Sequence, residues 1–205
     1  MTASYTGGCQ CGAVRYRVTG APETPHLCHS RMCQKASGNY FLPLAWAPGD
    51  ILAITRGEPA WFHSSDPVRR GFCANCGTPL FYDPVSEDGM AFTLGSLDDP
   101  SRLPPVQNDG RASRVPFFQN LAELPSAEIG QDDLSPVIAS TNHQHPDHDT
   151  DAWSVCPCLT SLPKKNVSFC SIRRFATASR RPASISRSMT RSPSRACLMI
   201  WASTM

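Results

Sequence analysis

Gly7-Gly8-Cys9-Gln10-Cys11-Gly12-Ala13-Val14-Arg15-Tyr16-Arg17-Val18 carries two signals side by side. Its first half sets two cysteines one residue apart between glycines. Its second half alternates apolar with polar residues, the period of a strand with one face on a core and its arginines toward water. The cysteine pair finds its complement in Cys73-Ala74-Asn75-Cys76. In an extended segment residues i and i+2 project to the same side, so Cys9 and Cys11 can both reach one ion, whereas C-x-x-C forms a tight knuckle. The four thiols read as a closed structural zinc site that clips the N-terminal strand to a distant hairpin, metal bonding offsetting the entropy of loop closure. A redox role for Cys73 and Cys76 lacks the βαβ setting that such motifs need. Buried unliganded thiols would leave both spacings coincidental.

Outward from this stretch, short extended segments broken by Gly and Pro recur at Ala13–Val18, Tyr40–Ala47, Ile51–Arg56, Ala60–His63, Leu80–Tyr82 and Met90–Leu94. That punctuation predicts a mainly β domain. Short helices are expected at Arg31–Ala36 and as a turn at Asp98–Ser101. From Asp99 to Asp151 the chain is polar and Pro-bearing, and it is expected to wrap the domain as long ordered loop, with one strand candidate at Val115–Phe118.

Charge divides the chain more sharply than hydropathy does. Residues 1–155 hold 10 Lys/Arg against 17 Asp/Glu, and residues 156–205 hold 9 against none, so the net charge of +2 conceals an acidic front and a basic end. We place the zinc-binding domain at residues 1–152 and a basic Ser/Arg/Pro-rich tail at residues 153–205. The tail is expected to be disordered, or to be the product of a frame shift, because acidic residues vanish and Cys156, Cys158, Cys170 and Cys197 keep no ligand spacing. The acidic front argues against nucleic acid as a partner. The 10 cysteines, with neither a signal peptide at Met1–Gly20 nor an apolar run long enough to span a bilayer, point to metal binding in the cytoplasm rather than to disulfides or a membrane.

A second cluster, Cys28-His29-Ser30-Arg31-Met32-Cys33, precedes Gln34-Lys35-Ala36-Ser37-Gly38. Two cysteines with a histidine between them do not close a tetrahedral site, and an incomplete set is what a catalytic zinc retains for water or substrate. His29 is read as a polar residue packed beside the loop, with metal ligation the alternative. His143, His145 and His148, with Asp147 and Asp149, resemble a metal cluster but are read as a surface loop around Pro146. Phe117 and Phe118 are read as core or lid packing.

Taken together, the Gly7–Val14 stretch, Cys28-His29-x-x-x-Cys33-Gln34-Lys35-Ala36-Ser37-Gly38 and Phe72-Cys73-x-x-Cys76-Gly77-Thr78-Pro79-Leu80 resemble the glutathione-dependent formaldehyde-activating enzyme family, whose domain is shared with centromere protein V. The resemblance implies a β-sandwich-like fold, a structural zinc on Cys9, Cys11, Cys73 and Cys76, and a catalytic zinc on the second motif. The family's second motif is Cys-His-Cys-x-x-Cys, and Ser30 stands where its middle cysteine belongs. Cys28, Ser30 and Cys33 are thus the implied catalytic positions, and Cys28 and Cys33 hold the second zinc weakly or not at all, since a hydroxyl is a poor zinc ligand.

The implied activity is that of a zinc-dependent carbon–sulfur lyase acting on a glutathione–aldehyde adduct of the S-(hydroxymethyl)glutathione type. Arg31 and Lys35 are the candidate cations for glutathione's carboxylates, although each is read first as solvated surface charge. The alternative is a zinc-stabilised binding module in which Ser30 has impaired or abolished catalysis. A lyase acting on another thiol adduct is the third possibility.

Overall fold

The computed structural model describes residues 3–126, 136–137, 142–150 and 153, all within the compact unit Met1–Leu162. The basic tail from residue 154 onward, with its four cysteines, lies outside the described residues.

The fold is mainly β, as the punctuation predicts. Strands β1 (Ser4–Gly8), β2 (Arg15–Thr19) and β5 (Leu52–Arg56) form a three-stranded sheet in the order β1-β2-β5. A seven-stranded sheet runs β10-β3-β4-β9-β8-β7-β6, from β3 (Glu23–Cys28), β4 (Leu42–Pro48), β6 (Ala60–Ser65), β7 (Val68–Phe72), β8 (Pro79–Pro84), β9 (Gly89–Thr93) and β10 (Gln107–Asp109). Every pairing is antiparallel except β10 with β3, which run parallel.

Tyr16 and Val18 of β2 point between the sheets and are fully buried, as are Leu80 and Phe92 of the large sheet. The Tyr16 ring meets Phe81 at 5.3 Å and Phe92 at 5.8 Å, and its hydroxyl bonds Ser96 Oγ at 2.7 Å. Burying an aromatic of this size contributes on the order of 2–3 kcal/mol, and the bonded hydroxyl avoids an orphaned polar group.

The other face of this alternation departs from expectation. Arg17 reaches water, but Arg15 is buried, its guanidinium forked onto Asp98 at 2.5 and 2.7 Å and bonded to Asp149 at 2.7 Å. A segment from residue 142 to 150 covers this face, and its carboxylate makes burial of the cation tolerable.

β4 is buried on both sides. Ala45 and Ala47 face the sandwich core, while Leu42 and Leu44 face outward with Ala91 and Cys33 in a second cluster. That outer face of the large sheet is covered by α1 (Arg31–Ser37). The helix starts where Ser30 Oγ accepts the Cys33 backbone N–H, and it ends at Gly38, whose φ of 65° suits the left-handed cap.

Four strands escape the sequence reading: β1, β3, β7 and β10. β3 contains Pro25 and shifts register between Glu23 and His26, and β7 contains two adjacent arginines, so neither shows the alternation of a half-buried strand. Val115–Phe118 is not a strand; the chain turns there into a short 3-10 helix at Phe118–Glu123. Phe118 packs against His29 and Phe41 instead, which supplies burial without a ladder.

Candidate functional site

Cys9 and Cys11 lie in the turn after β1, and Cys73 and Cys76 lie in the turn between β7 and β8. The first pair is not extended as expected: Gly12 N–H bonds Cys9 C=O at 2.9 Å, making a knuckle that mirrors Gly77 N–H to Cys73 C=O at 2.8 Å. Gly12 has φ +73°, and a Cβ there would collide with His145 and Trp153. The four sulfurs all lie within 4.8 Å of one another, with Cys9–Cys11 at 3.6 Å and Cys11–Cys73 at 3.8 Å. A regular zinc tetrahedron with Zn–S of about 2.3 Å has edges of about 3.8 Å, so the donor set fits such an ion.

Hydrogen bonds already favour thiolate here: Val14 N–H points at Cys9 Sγ (3.2 Å), and the Thr78 hydroxyl lies 3.1 Å from Cys76 Sγ. Burial pushes the Cys9 and Cys11 thiols up. It acts on Cys76 too, but hydrogen bonds from Thr78 outweigh it and hold that thiol at about 6. Thiols crowded together cannot all ionise without a cation between them.

The histidine run is not a metal cluster; among the described residues only the four cysteines form one. Nor is His145 exposed on a loop. It is buried against the knuckle, its N–H on Gln10 C=O at 2.8 Å and its ring 5.1 Å from Trp153, because the segment is drawn inward by the Arg15–Asp149 pair.

The second motif meets a cavity of about 370 Å³ on the outer face of the large sheet. Cys28 ends β3, Ser30 caps α1, and Cys33 lies in its first turn. Cys28 Sγ lies 3.4 Å from Ser30 Oγ, which also accepts Cys33 N–H at 3.3 Å. Cys33 is held well down, at about 5, by the hydrogen bond from Cys28 and further by Ser30 and Arg70; the same bond and burial push Cys28 up. Two thiols and a hydroxyl already engaged as a cap fall short of the three strong ligands that a catalytic zinc takes, so this donor set does not fit one. His29 points away: it is fully buried, with Nε2 2.9 Å from Asn108 Oδ1 and its ring 4.6 Å from Phe118.

Arg31 and Lys35, the sequence's candidate cations, follow the reading preferred for each, solvated surface charge. Both are exposed, and neither lines the cavity. The cation there is Arg70, nine-tenths buried, with Nη2 3.5 Å from Cys33 Sγ. Its signal was parity: in Val68-Arg69-Arg70-Gly71-Phe72 it shares a strand face with Val68 and Phe72, not with Arg69. Trp46 and Tyr82 form apolar wall, and His26 and Asp109, 3.6 Å apart, complete the ionisable set. Asp109 arrives through β10, which pairs with Cys28 in register.

The profile of the glutathione-dependent formaldehyde-activating enzyme family matches residues 4–109. A Halomonas elongata protein bearing that family's name is 31% identical over 109 residues, which span 48% of this chain and 69% of the relative. A solved Rhodobacter sphaeroides protein aligns over 50% of this chain and 98% of its own, at 20% identity and a TM-score of 0.40. No helix among the described residues is long and apolar enough to cross a membrane. With the family's matched region spanning the knuckle centre and the Cys28–Cys33 cavity together, this chain belongs to the glutathione-dependent formaldehyde-activating enzyme family.

Proposed function

We propose that the chain is a carbon–sulfur lyase of the S-(hydroxymethyl)glutathione synthase kind, joining a glutathione thiol to formaldehyde and, in reverse, cleaving the adduct. The observation that carries this reading is the cavity in which Cys28, Ser30 and Cys33 meet a buried guanidinium. In the forward direction a sulfur–carbon bond forms, the carbonyl π pair passes to oxygen, and the thiol proton ends on that oxygen; nothing is oxidised or reduced. Apolar walls at Leu44, Trp46 and Ala91 keep water from the reacting pair, and Arg70 and Asp109 offer one cation and one carboxylate to a peptide carrying both signs of charge.

Zinc on Cys9, Cys11, Cys73 and Cys76 is structural in this reading, since four thiolates saturate a tetrahedral ion. Among the described residues, Cys28 and Cys33 are the thiols left for a second zinc, which is weakly held or absent. A zinc-binding domain at residues 1–152 belongs to this reading, and the Trp153 indole, which bonds the Cys11 carbonyl, ties the first residue of the basic tail to the knuckle. A reduced thiol pool as substrate source suits the cytoplasm.

The second reading, a zinc-stabilised binding module without catalysis, is favoured by Ser30, whose hydroxyl serves the helix rather than a metal. Exchange spectroscopy with ¹³C-formaldehyde and glutathione separates the two. The wild type is expected to speed adduct exchange above the buffer rate, and Cys33→Ala to abolish the gain. Exchange at the buffer rate in one-zinc wild type would overturn the lyase, and glutathione binding retained without exchange would favour the module.

A further inference from the structure

Arg69 and Arg70 leave opposite faces of β7, and their surroundings differ completely. Arg69 Nε donates to Asp83 at 2.6 Å, and its guanidinium lies 4.3 Å over the Trp61 ring. Arg70 is the more buried, yet among the described residues no carboxylate lies within ion-pair distance of it. Its contacts are the Cys33 sulfur at 3.5 Å and the face of Tyr82, its register partner on β8, at 5.1 Å.

A guanidinium carries five N–H donors in a planar fork that matches a carboxylate. The single contact to the Cys33 sulfur engages one corner of that fork and leaves its other N–H donors without a protein partner among the described residues, free to take a carboxylate. The side chain lines the 370 Å³ cavity, so an anion can reach it from there. Arg31 is already bonded to Gln34 at 3.0 Å on the surface, which leaves Arg70 as the arginine that faces this space.

We propose that Arg70 is the specificity-determining residue of the cavity and selects thiols that also carry a carboxylate, which docks on the fork of its guanidinium while the ligand's sulfur lies at the Cys28–Cys33 end. The inference rests on the proposed function for the location of the site, but not for the identity of the peptide. Because Arg70 Nη2 and Cys33 Sγ are 3.5 Å apart, the ligand's sulfur and carboxylate must be only a few bonds from each other, as in a mercapto acid or a short cysteine peptide. The low-dielectric walls strengthen the ion pair relative to one in water, so neutral thiols of equal size gain nothing comparable.

Calorimetric titration of the zinc-loaded full-length protein tests this, with 3-mercaptopropanoate against its neutral amide and, in parallel, glutathione against its ethyl ester. The wild type is expected to favour each acid at least tenfold. Arg70→Met and Arg70→Gln are expected to erase the preference, and Arg70→Lys, which keeps charge but not the fork, to retain part of it. Circular dichroism and zinc content identify any variant that fails to fold, and the remaining two then decide. Equal binding of acid and amide by the wild type, or an undiminished preference in folded Arg70→Met, overturns the proposal. If 3-mercaptopropanoate shows an Arg70-dependent preference while glutathione does not bind, the specificity stands and the glutathione reading falls. If neither acid binds the wild type, both fall.

Discussion

The indole N–H of Trp153 donates to the carbonyl of Cys11 at 2.9 Å, joining positions 142 residues apart. The ring also packs on His145 and over Gly12, where no side chain larger than hydrogen would leave it room. A segment that looks polar and loop-like in sequence therefore clasps the cysteine knuckle, with Asp149 on Arg15 and Arg17 and the Thr150 carbonyl on Arg56 as its other fastenings.

Trp153→Ala is expected to destabilise the domain by about 2 kcal/mol, through lost ring packing and an orphaned Cys11 carbonyl. Chemical denaturation of the variant measures this. A chain ending after Trp153 is expected to match the full-length protein, and an equal loss in both would show that residues beyond 153 carry the stability instead.

Cys76→Ser removes one corner of a donor set that joins two distant turns. Structural zinc contributes on the order of 10 kcal/mol to folding in small zinc domains, so the variant is expected to lose its ion and unfold or become insoluble. Soluble Cys76→Ser protein that melts cooperatively at the wild-type temperature with its zinc retained would contradict the assignment.

The parts of this molecule that were legible in sequence are those set by local chemistry. The two cysteine pairs, the alternation at Tyr16 and Val18, and the short helix at Arg31 all depend on residues near each other in the chain. Arg15 and Arg70 were missed, although parity along β7 separates Arg70 from Arg69, because what makes each exceptional comes from afar: Asp98 and Asp149 for the one, Cys33 and a cavity for the other. β3 and β10 were hidden for a related reason. Pairing with β4 and with each other overrides a poor intrinsic strand signal around Pro25, and that pairing is what brings Asp109 beside Cys28.

Asp149 gives the clasp a pH dependence. Burial alone would raise its carboxyl, but hydrogen bonds from Arg15 and Arg17 outweigh it and hold the group below its ordinary 3.8. A depressed folded-state value means stability that is present above about pH 4 and lost as pH falls through the folded value. The stability gap between wild type and Asp149→Asn is therefore expected to be constant near neutrality and to close in acid. Denaturation midpoints from pH 6 down to about pH 3 measure it, and a gap unchanged across that range would remove Asp149 from the account.

Ser30 decides how much metal the second motif can hold. Its hydroxyl accepts the Cys33 N–H at 3.3 Å and lies 3.4 Å from Cys28 Sγ, so the position stands beside both thiols yet offers no thiolate of its own. Ser30→Cys supplies the third sulfur of the family's ligand set and removes a helix cap worth about 1 kcal/mol. Two effects of opposite sign follow. Metal-free Ser30→Cys is expected to be slightly less stable than metal-free wild type, whereas with zinc present the variant is expected to hold close to two ions per chain after dialysis, against one in the wild type. Adduct exchange between formaldehyde and glutathione is expected to rise with the second ion, since a bound zinc favours the nucleophilic form of a thiol at neutral pH. Elemental analysis and the exchange assay, run side by side on both proteins, read each effect separately. Two tightly held ions in the wild type would mean that the Ser30 hydroxyl or another group completes the site after all, and one ion in Ser30→Cys would mean that the geometry at α1, rather than the missing sulfur, keeps the second zinc out.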